Sequence, residues 1–230
     1  LGDVYKRQDT QGGIRVSVMD SDWGAIIQNN TSISATGVLP RCVELDGRVG
    51  VMYIETSGTD AVKLCQISVS DPAQFDAATT LANDSATSGH QLSVAKNGNG
   101  AIVAYADDAS KISVLYVTPD GAVGSLLNGY APPIKINSLA EDSLEIIKDT
   151  DNDGHFYVAY SKNASSTGLK ITRLNPALSE IQTLTVEATS TVIKHVTMSL
   201  NSADNIEVIY ELNAAQTYNH LIKKATITYD

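Results

Sequence analysis

Short apolar runs rich in Val, Ile and Thr alternate along the chain with clusters of Asn, Asp, Gly and Ser. One kind of run ends in tyrosine four times: residues 49–53 (Val-Gly-Val-Met-Tyr), 101–105 (Ala-Ile-Val-Ala-Tyr), 156–160 (Phe-Tyr-Val-Ala-Tyr) and 206–210 (Ile-Glu-Val-Ile-Tyr). The tyrosines are 52, 55 and 50 residues apart, which marks an internal repeat. A shorter apolar segment precedes each run, at 42–45, 92–95, 144–147 and 196–200, and a turn-forming stretch such as Asp46-Gly47 joins the two. Asn, Asp and Gly between two such runs predict β-hairpins. A third β-rich run follows at 62–69, 112–118, 169–174 and 221–228, with 14–19 as a fifth copy. A weaker fourth run lies at 25–27, 75–81, 123–127 and 181–186.

The repeating unit is therefore four strands, A to D. No window carries apolar residues at i, i+3, i+4 and i+7, so no helix is predicted. In strand B both alternating faces are apolar, with Val49, Val51 and Tyr53 on one side and Gly50, Met52 and Ile54 on the other. A sheet buried on both faces must lie between two other sheets. The pattern predicts an all-β fold, a β-propeller of four-stranded antiparallel blades, with about 4.5 blades in the chain. The expected divisions are the end of a leading blade (strands C and D) at 9–28, blades at 29–80, 81–127 and 128–184, and strands A to C of a last blade at 185–230.

The hairpin at 97–105 (Asn-Gly-Asn-Gly-Ala-Ile-Val-Ala-Tyr), recurring once per unit, resembles those of secreted bacterial propeller repeats of the sialidase-like kind. The resemblance covers residues 12–230 as a repeat pattern. It implies a secreted or cell-surface module. The Ser-x-Asp-x-Gly-x-Thr-Trp box of sialidase blades is absent, and 20–24 (Asp-Ser-Asp-Trp-Gly) does not reproduce it. Arg15, Arg41, Arg48 and Arg173 fall at unequal repeat positions, so no arginine triad carries over and sialidase chemistry is disfavoured. Asp3 to Gln8 resemble the translation of a transposon end used in DNA sequencing libraries, so residues 1–8 are set aside as an expected artefact. The natural start would then lie upstream, and an incomplete ring would expose blade edges that invite association.

Charge narrows the partners. The 230 residues carry 16 Lys+Arg against 26 Asp+Glu, a formal net charge of −10 with no basic block, which argues against nucleic acid and anionic membrane surfaces. No apolar stretch is long enough for a membrane-spanning helix, so membrane insertion is not expected. Cys42 and Cys65 fall on strands A and C of one blade with strand B between them. Two strand spacings exceed the reach of a disulfide, so two free, buried thiols are expected.

Three groups of residues could carry chemistry. Asp149, Asp151 and Asp153, followed by Gly154, have Asp-x-Asp-x-Asp-Gly spacing, which suits a hard cation with oxygen ligands. The alternative is an acidic hairpin turn, since Tyr160 stands where a calcium loop would place a bidentate Glu. Any calcium here would be structural. Repeat alignment puts His90, Asp142 and His195 at the D-to-A connections of three successive blades, around the central channel on the face that would bind a ligand, where His and Asp could ligate a transition metal or act as acid and base. Asp107, Asp108 and Tyr130 lie on loops of the same face and would suit a carbohydrate or peptide. Solvated loops are the alternative. The repeated tyrosines are better read as packing residues, each ring buried and each hydroxyl reaching a loop backbone.

The leading expectation is a non-catalytic, extracellular propeller module that binds a glycan or protein ligand. The alternatives are a fragment of a propeller hydrolase or lyase with its site at the channel, and a structural repeat of a larger adhesin.

Overall fold

The computed structural model describes residues 4–9, 13–19, 26–71, 73–83, 91–107, 111–124, 134–139, 143–149, 154–161, 168–188, 192–213 and 220–228. They form nineteen strands in five antiparallel sheets and contain no helix. Blade I is β1 (Val4–Asp9), β2 (Gly13–Met19) and β3 (Ile26–Ser34). Blade II is β4 (Gly37–Leu45), β5 (Arg48–Glu55), β6 (Ala61–Ser68) and β7 (Thr79–Ala82). Blade III is β8 (Leu92–Asn97), β9 (Gly100–Ala106), β10 (Lys111–Val117) and β11 (Val123–Gly124), joined by β12 (Ile134–Leu139). Blade IV is β13 (Ser143–Lys148), β14 (Phe156–Ser161), β15 (Leu169–Leu174) and β16 (Glu180–Glu187). Blade V is β17 (Val192–Leu200), β18 (Ile206–Asn213) and β19 (His220–Ile227). Apart from β12, which pairs with β10, the strands of each sheet pair in chain order, and β4, β8, β13 and β17 are the strands by which successive blades meet. This is the propeller arrangement the repeat predicts.

Four apolar layers lie between blades. Ile14, Val16 and Val18 of blade I meet Val51, Tyr53, Cys65 and Ile67 of blade II. The opposite face of blade II presents Met52, Ile54, Val62 and Leu64 to Leu92, Val103, Tyr105 and Leu115 of blade III. Strand B thus buries both faces, as its composition predicts. The same alternation continues between blades III and IV and between IV and V. Polar links at repeat spacing tie inner strands together. Lys96 Nζ meets Glu44 at 2.6 Å, and Lys148 Nζ donates to Asn97 Oδ1 at 2.8 Å.

Blade I shows what the backbone alone can recruit. Its β2–β3 ladder slips between Ile14 and Arg15, matching the slips between Val62 and Lys63 and between Leu169 and Lys170 on strands C of blades II and IV. Residues 14–19 therefore hold the register of strand C, and β1 that of strand B. Val4–Asp9, mostly within the segment set aside on sequence grounds, pairs antiparallel with β2, and Arg7 occupies the register of the repeated tyrosines. A β-ladder asks only for extended backbone with free N–H and C=O groups.

Three details differ from expectation. The segment after β11 does not run straight to blade IV: β12 pairs with the first half of β10 and completes the outer edge of blade III. Strand A of blades II and V bulges opposite the tyrosine, where Leu39 (φ 52°) and His195 (φ 51°) adopt left-handed backbone and the ladders slip between Val38 and Arg41 and between Lys194 and Thr197. Finally, Cys65 is buried but Cys42 is exposed, because it shares with Glu44 the face of β4 that points away from the core. Neither cysteine is disulfide-bonded. Burial, with a smaller contribution from Asp76, raises the Cys65 thiol to about 11. One thiol is therefore expected to react rapidly with a disulfide reagent at pH 8 and the second only after denaturation; two fast thiols would contradict the packing of Cys65.

Candidate functional site

All four repeated tyrosines are buried, at 1%, 0%, 2% and 3% exposure for Tyr53, Tyr105, Tyr160 and Tyr210. Two of their hydroxyls reach side chains. Tyr160 pairs with Thr172 Oγ1 at 3.2 Å, and Tyr210 donates to Glu187 Oε2 at 2.7 Å. Burial raises Tyr53 to about 12, with Glu55 and Cys65 adding to the shift, and burial together with Glu187 pushes Tyr210 up further. Neither phenol is prepared to ionise at neutral pH.

Glu187 also accepts from Lys223 Nζ at 2.8 Å, so this carboxylate links blade IV to strands B and C of blade V. The Lys223 and Tyr210 hydrogen bonds hold its pKa below the usual carboxylate value, against a smaller opposing effect of burial. A depressed folded pKa stabilises the fold above the unfolded value of about 4.3, and that contribution is lost as pH falls through the folded pKa. Glu187→Gln is thus expected to flatten the acid limb of a Tm-against-pH curve below about pH 5. An unchanged acid limb would show that the link is not formed in solution.

The residues singled out from sequence separate in the structure. Asp107 is fully buried, and its carboxylate accepts from the Lys111 N–H at 2.8 Å and from Ser113 Oγ at 3.3 Å, closing the turn between β9 and β10. His195 sits on the β17 bulge with its side chain 80% exposed and Nε2 3.7 Å from Glu211 Oε2. His195 lies inside the bulge, where the ladder slips between Lys194 and Thr197, and has no ladder partner of its own; Lys194, opposite Glu211, holds the register that Ser143, opposite Ser161, holds in blade IV. His90, Asp142, Asp108, Tyr130, Asp151 and Asp153 lie outside the described residues. Asp149 accepts from the Tyr157 hydroxyl at 3.3 Å, and its N–H donates to the His155 carbonyl at 2.8 Å. Glu55, the last residue of β5, accepts from Ser34 Oγ at 2.8 Å and from Thr36 Oγ1. Burial draws its pKa up, but the hydrogen bonds from Thr36, Ser34 and Ser57 outweigh that and hold it below the usual value.

An open pocket of about 440 Å³ lies at the opposite ends of the strands, between blades II and III, lined by Asp46, Arg48, Gln66, Asp76, Pro119 and Asp120. That volume is in the range of small-molecule sites. Asp46 and Gly47 (φ 41° and 76°) form the two-residue turn that joins β4 to β5 and presents Arg48 at its exit. Arg48 pairs with Asp76, whose N–H is bonded to the Gln66 carbonyl at 2.9 Å. Gln66 is largely buried, and its Nε2 donates to the Pro119 carbonyl of blade III at 3.5 Å. Asp120 accepts from Thr118 Oγ1, and this bond is the main cause of a pKa below the usual carboxylate value.

Sequence reasoning missed this pocket. The available signal was Arg48: the next blade has Gly100 at that register, yet a charged side chain starts strand B here.

No family profile and no curated protein matches the sequence. Solved structures do. AofleA from Arthrobotrys oligospora is similar with a TM-score of 0.65 at 12% identity, over 98% of this chain and 65% of that one. The intramolecular trans-sialidase from Ruminococcus gnavus, in complex with oseltamivir carboxylate, gives 0.63 at 9%, over 94% and 50%. A point mutant of NanB sialidase from Streptococcus pneumoniae gives 0.60 at 12%, over 89% and 33%. This chain spans less than two thirds of the length of each. At these identities the likeness shows a shared propeller fold.

Proposed function

We propose that the chain is an extracellular, glycan-binding propeller module that performs no bond cleavage. The observation that carries this reading is the pocket between blades II and III, where side-chain donors and acceptors from β5, β6 and the adjoining turns of both blades surround an open hollow. A sugar ring offers many hydroxyls that both donate and accept, and carboxylates with an arginine and an amide are the matching set. The names of two structural neighbours, both sialidases, support a glycan as the ligand class.

Binding is favoured over hydrolysis by the titration of the described groups. Glycoside cleavage needs one carboxyl with a raised pKa to protonate the leaving oxygen. Every described carboxylate with a displaced pKa is displaced downward: Glu55, Asp120, Glu187 and Glu207. A tyrosine nucleophile would need a lowered phenol, whereas Tyr53, Tyr157 and Tyr210 are raised.

A glycan array is the direct test, run with calcium and with chelator because Asp149, Asp151 and Asp153 are the proposed calcium loop. Selective binding without release of aryl aglycone from chromogenic glycosides is expected. A blank array together with hydrolysis would replace this reading by the second one, a fragment of a glycoside-cleaving enzyme, which the same two neighbour names favour.

A further inference from the structure

We propose that the pocket between blades II and III selects an uncharged, hydroxyl-rich sugar ring and rejects sugars that carry a carboxylate. The proposal rests on the glycan reading above and assigns it a place and a specificity.

Charge sets the specificity. Three carboxylates, Asp46, Asp76 and Asp120, line the hollow together with a single cation, Arg48. Arg48 is paired with Asp76, so Asp46 and Asp120 leave the lining net negative. Asp120 in particular is held in its charged form by Thr118. A uronate or sialate entering here would bring its own carboxylate toward this field, in a chain whose formal net charge is already −10. A neutral ring meets no such repulsion, and carboxylates are strong acceptors for its hydroxyls. A bare cation fits less well: among the described residues no three Asp, Glu, His or Cys side chains converge to hold a metal ion.

Local packing sets the place. At the junction of blades III and IV, the register of Gln66 is taken by Tyr116 and that of Arg48 by Gly100. The Tyr116 ring packs against the apolar layer there, and its hydroxyl lies 2.8 Å from where a Cβ on Gly100 would stand. The larger ring therefore fills space that Gln66 leaves open one junction earlier. Gly121 suits the closure: its φ is +84°, a left-handed conformation that favours glycine, and a Cβ there would come within 2.7 Å of Gln66 Oε1 and displace that side chain. The hollow is thus a built feature of one junction, with Gln66 as its fixed wall.

The test compares methyl glycosides of neutral hexoses with methyl glucuronide, titrated into the full chain and followed by amide chemical shifts. Methyl glucuronide differs from methyl glucoside only by a carboxylate in place of the C6 hydroxymethyl group. At least one neutral glycoside is expected to shift the amides of residues 46–48, 66, 76 and 119–121, with the glucuronide binding at least about tenfold more weakly. Asp46→Asn with Asp120→Asn should narrow that gap at low ionic strength; both positions are on turns, and asparagine tolerates the left-handed backbone of Asp46. Gln66→Ala should weaken neutral binding, with an unchanged Tm showing that the fold survives. Equal or tighter glucuronide binding would overturn the charge argument. Shifts confined to other residues, or binding indifferent to these substitutions, would move the site elsewhere while leaving the glycan reading intact. No shift with any glycoside, alongside a positive array, would overturn this pocket; a blank in both would end the glycan reading itself.

Discussion

Tyr105→Ala is expected to destabilise the chain by about 3–5 kcal/mol, a large share of the roughly 5–15 kcal/mol available to a domain. Tyr105 is fully buried in the layer where blade II meets blade III, among Met52, Ile54, Val62, Leu64 and Leu115. Removing the ring leaves a cavity that two β-sheets cannot collapse to fill, because each is held in place by its other neighbour. Tyr105→Phe keeps the ring and is expected to cost much less. Because each blade touches mainly its neighbours, the alanine lesion should also uncouple the two halves, so that denaturant unfolding broadens or splits. A shift below about 1 kcal/mol for Tyr105→Ala would mean that the layer between blades II and III is not closed in solution.

The second large effect is expected at Gly168. Its φ is +58°, and a Cβ there would lie 1.7 Å from the Glu187 carbonyl oxygen, across the ladder that pairs β15 with β16. Gly98 provides the control, since its φ of +60° is nearly the same and nothing lies within 4 Å of its missing Cβ. Gly98→Ala should therefore cost only the left-handed backbone penalty of about 1–2 kcal/mol. Gly168→Ala pays that and must also push strand D away from strand C, a further 1–3 kcal/mol or more by the usual cost of overpacking. Thermal unfolding of the two variants side by side measures the difference. Equal losses would show that the β15–β16 edge yields freely.

Much of the fold was legible because its information is local. Strand B of blade III carries apolar side chains at every position from 101 to 106, and residues 51 to 54 of blade II do the same, which excludes one wet face for these two sheets. The recurrence of tyrosine marked blades II to V. What misled was registration. The bulges at Leu39 and His195 put an extra residue into strand A of blades II and V, so a ruler laid along the sequence matched His195 to His90 although His195 falls in the slip of its ladder between Lys194 and Thr197. The expectation that Cys42 is buried failed for a related reason: composition marks a strand as apolar on average, while the pleat decides which of its residues turns outward.

The sequence by itself determined that this chain builds antiparallel units of up to four strands, the inner ones buried on both faces, because a period of two within strands and of about fifty between them repeats a sheet that its neighbours must cover. Only the tertiary structure decided which turns meet. Asp46, Arg48, Gln66 and Asp76 belong to one blade and Pro119 and Asp120 to the next, and no local pattern ties them together. Their convergence depends on the angle between adjacent sheets, the length of the turn after β10 and the choice of Gln66 where the following blade has Tyr116. The return of β12 to β10 and the recruitment of residues 4–9 as a strand are of the same kind, since backbone hydrogen bonds accept any extended partner that the surrounding fold delivers.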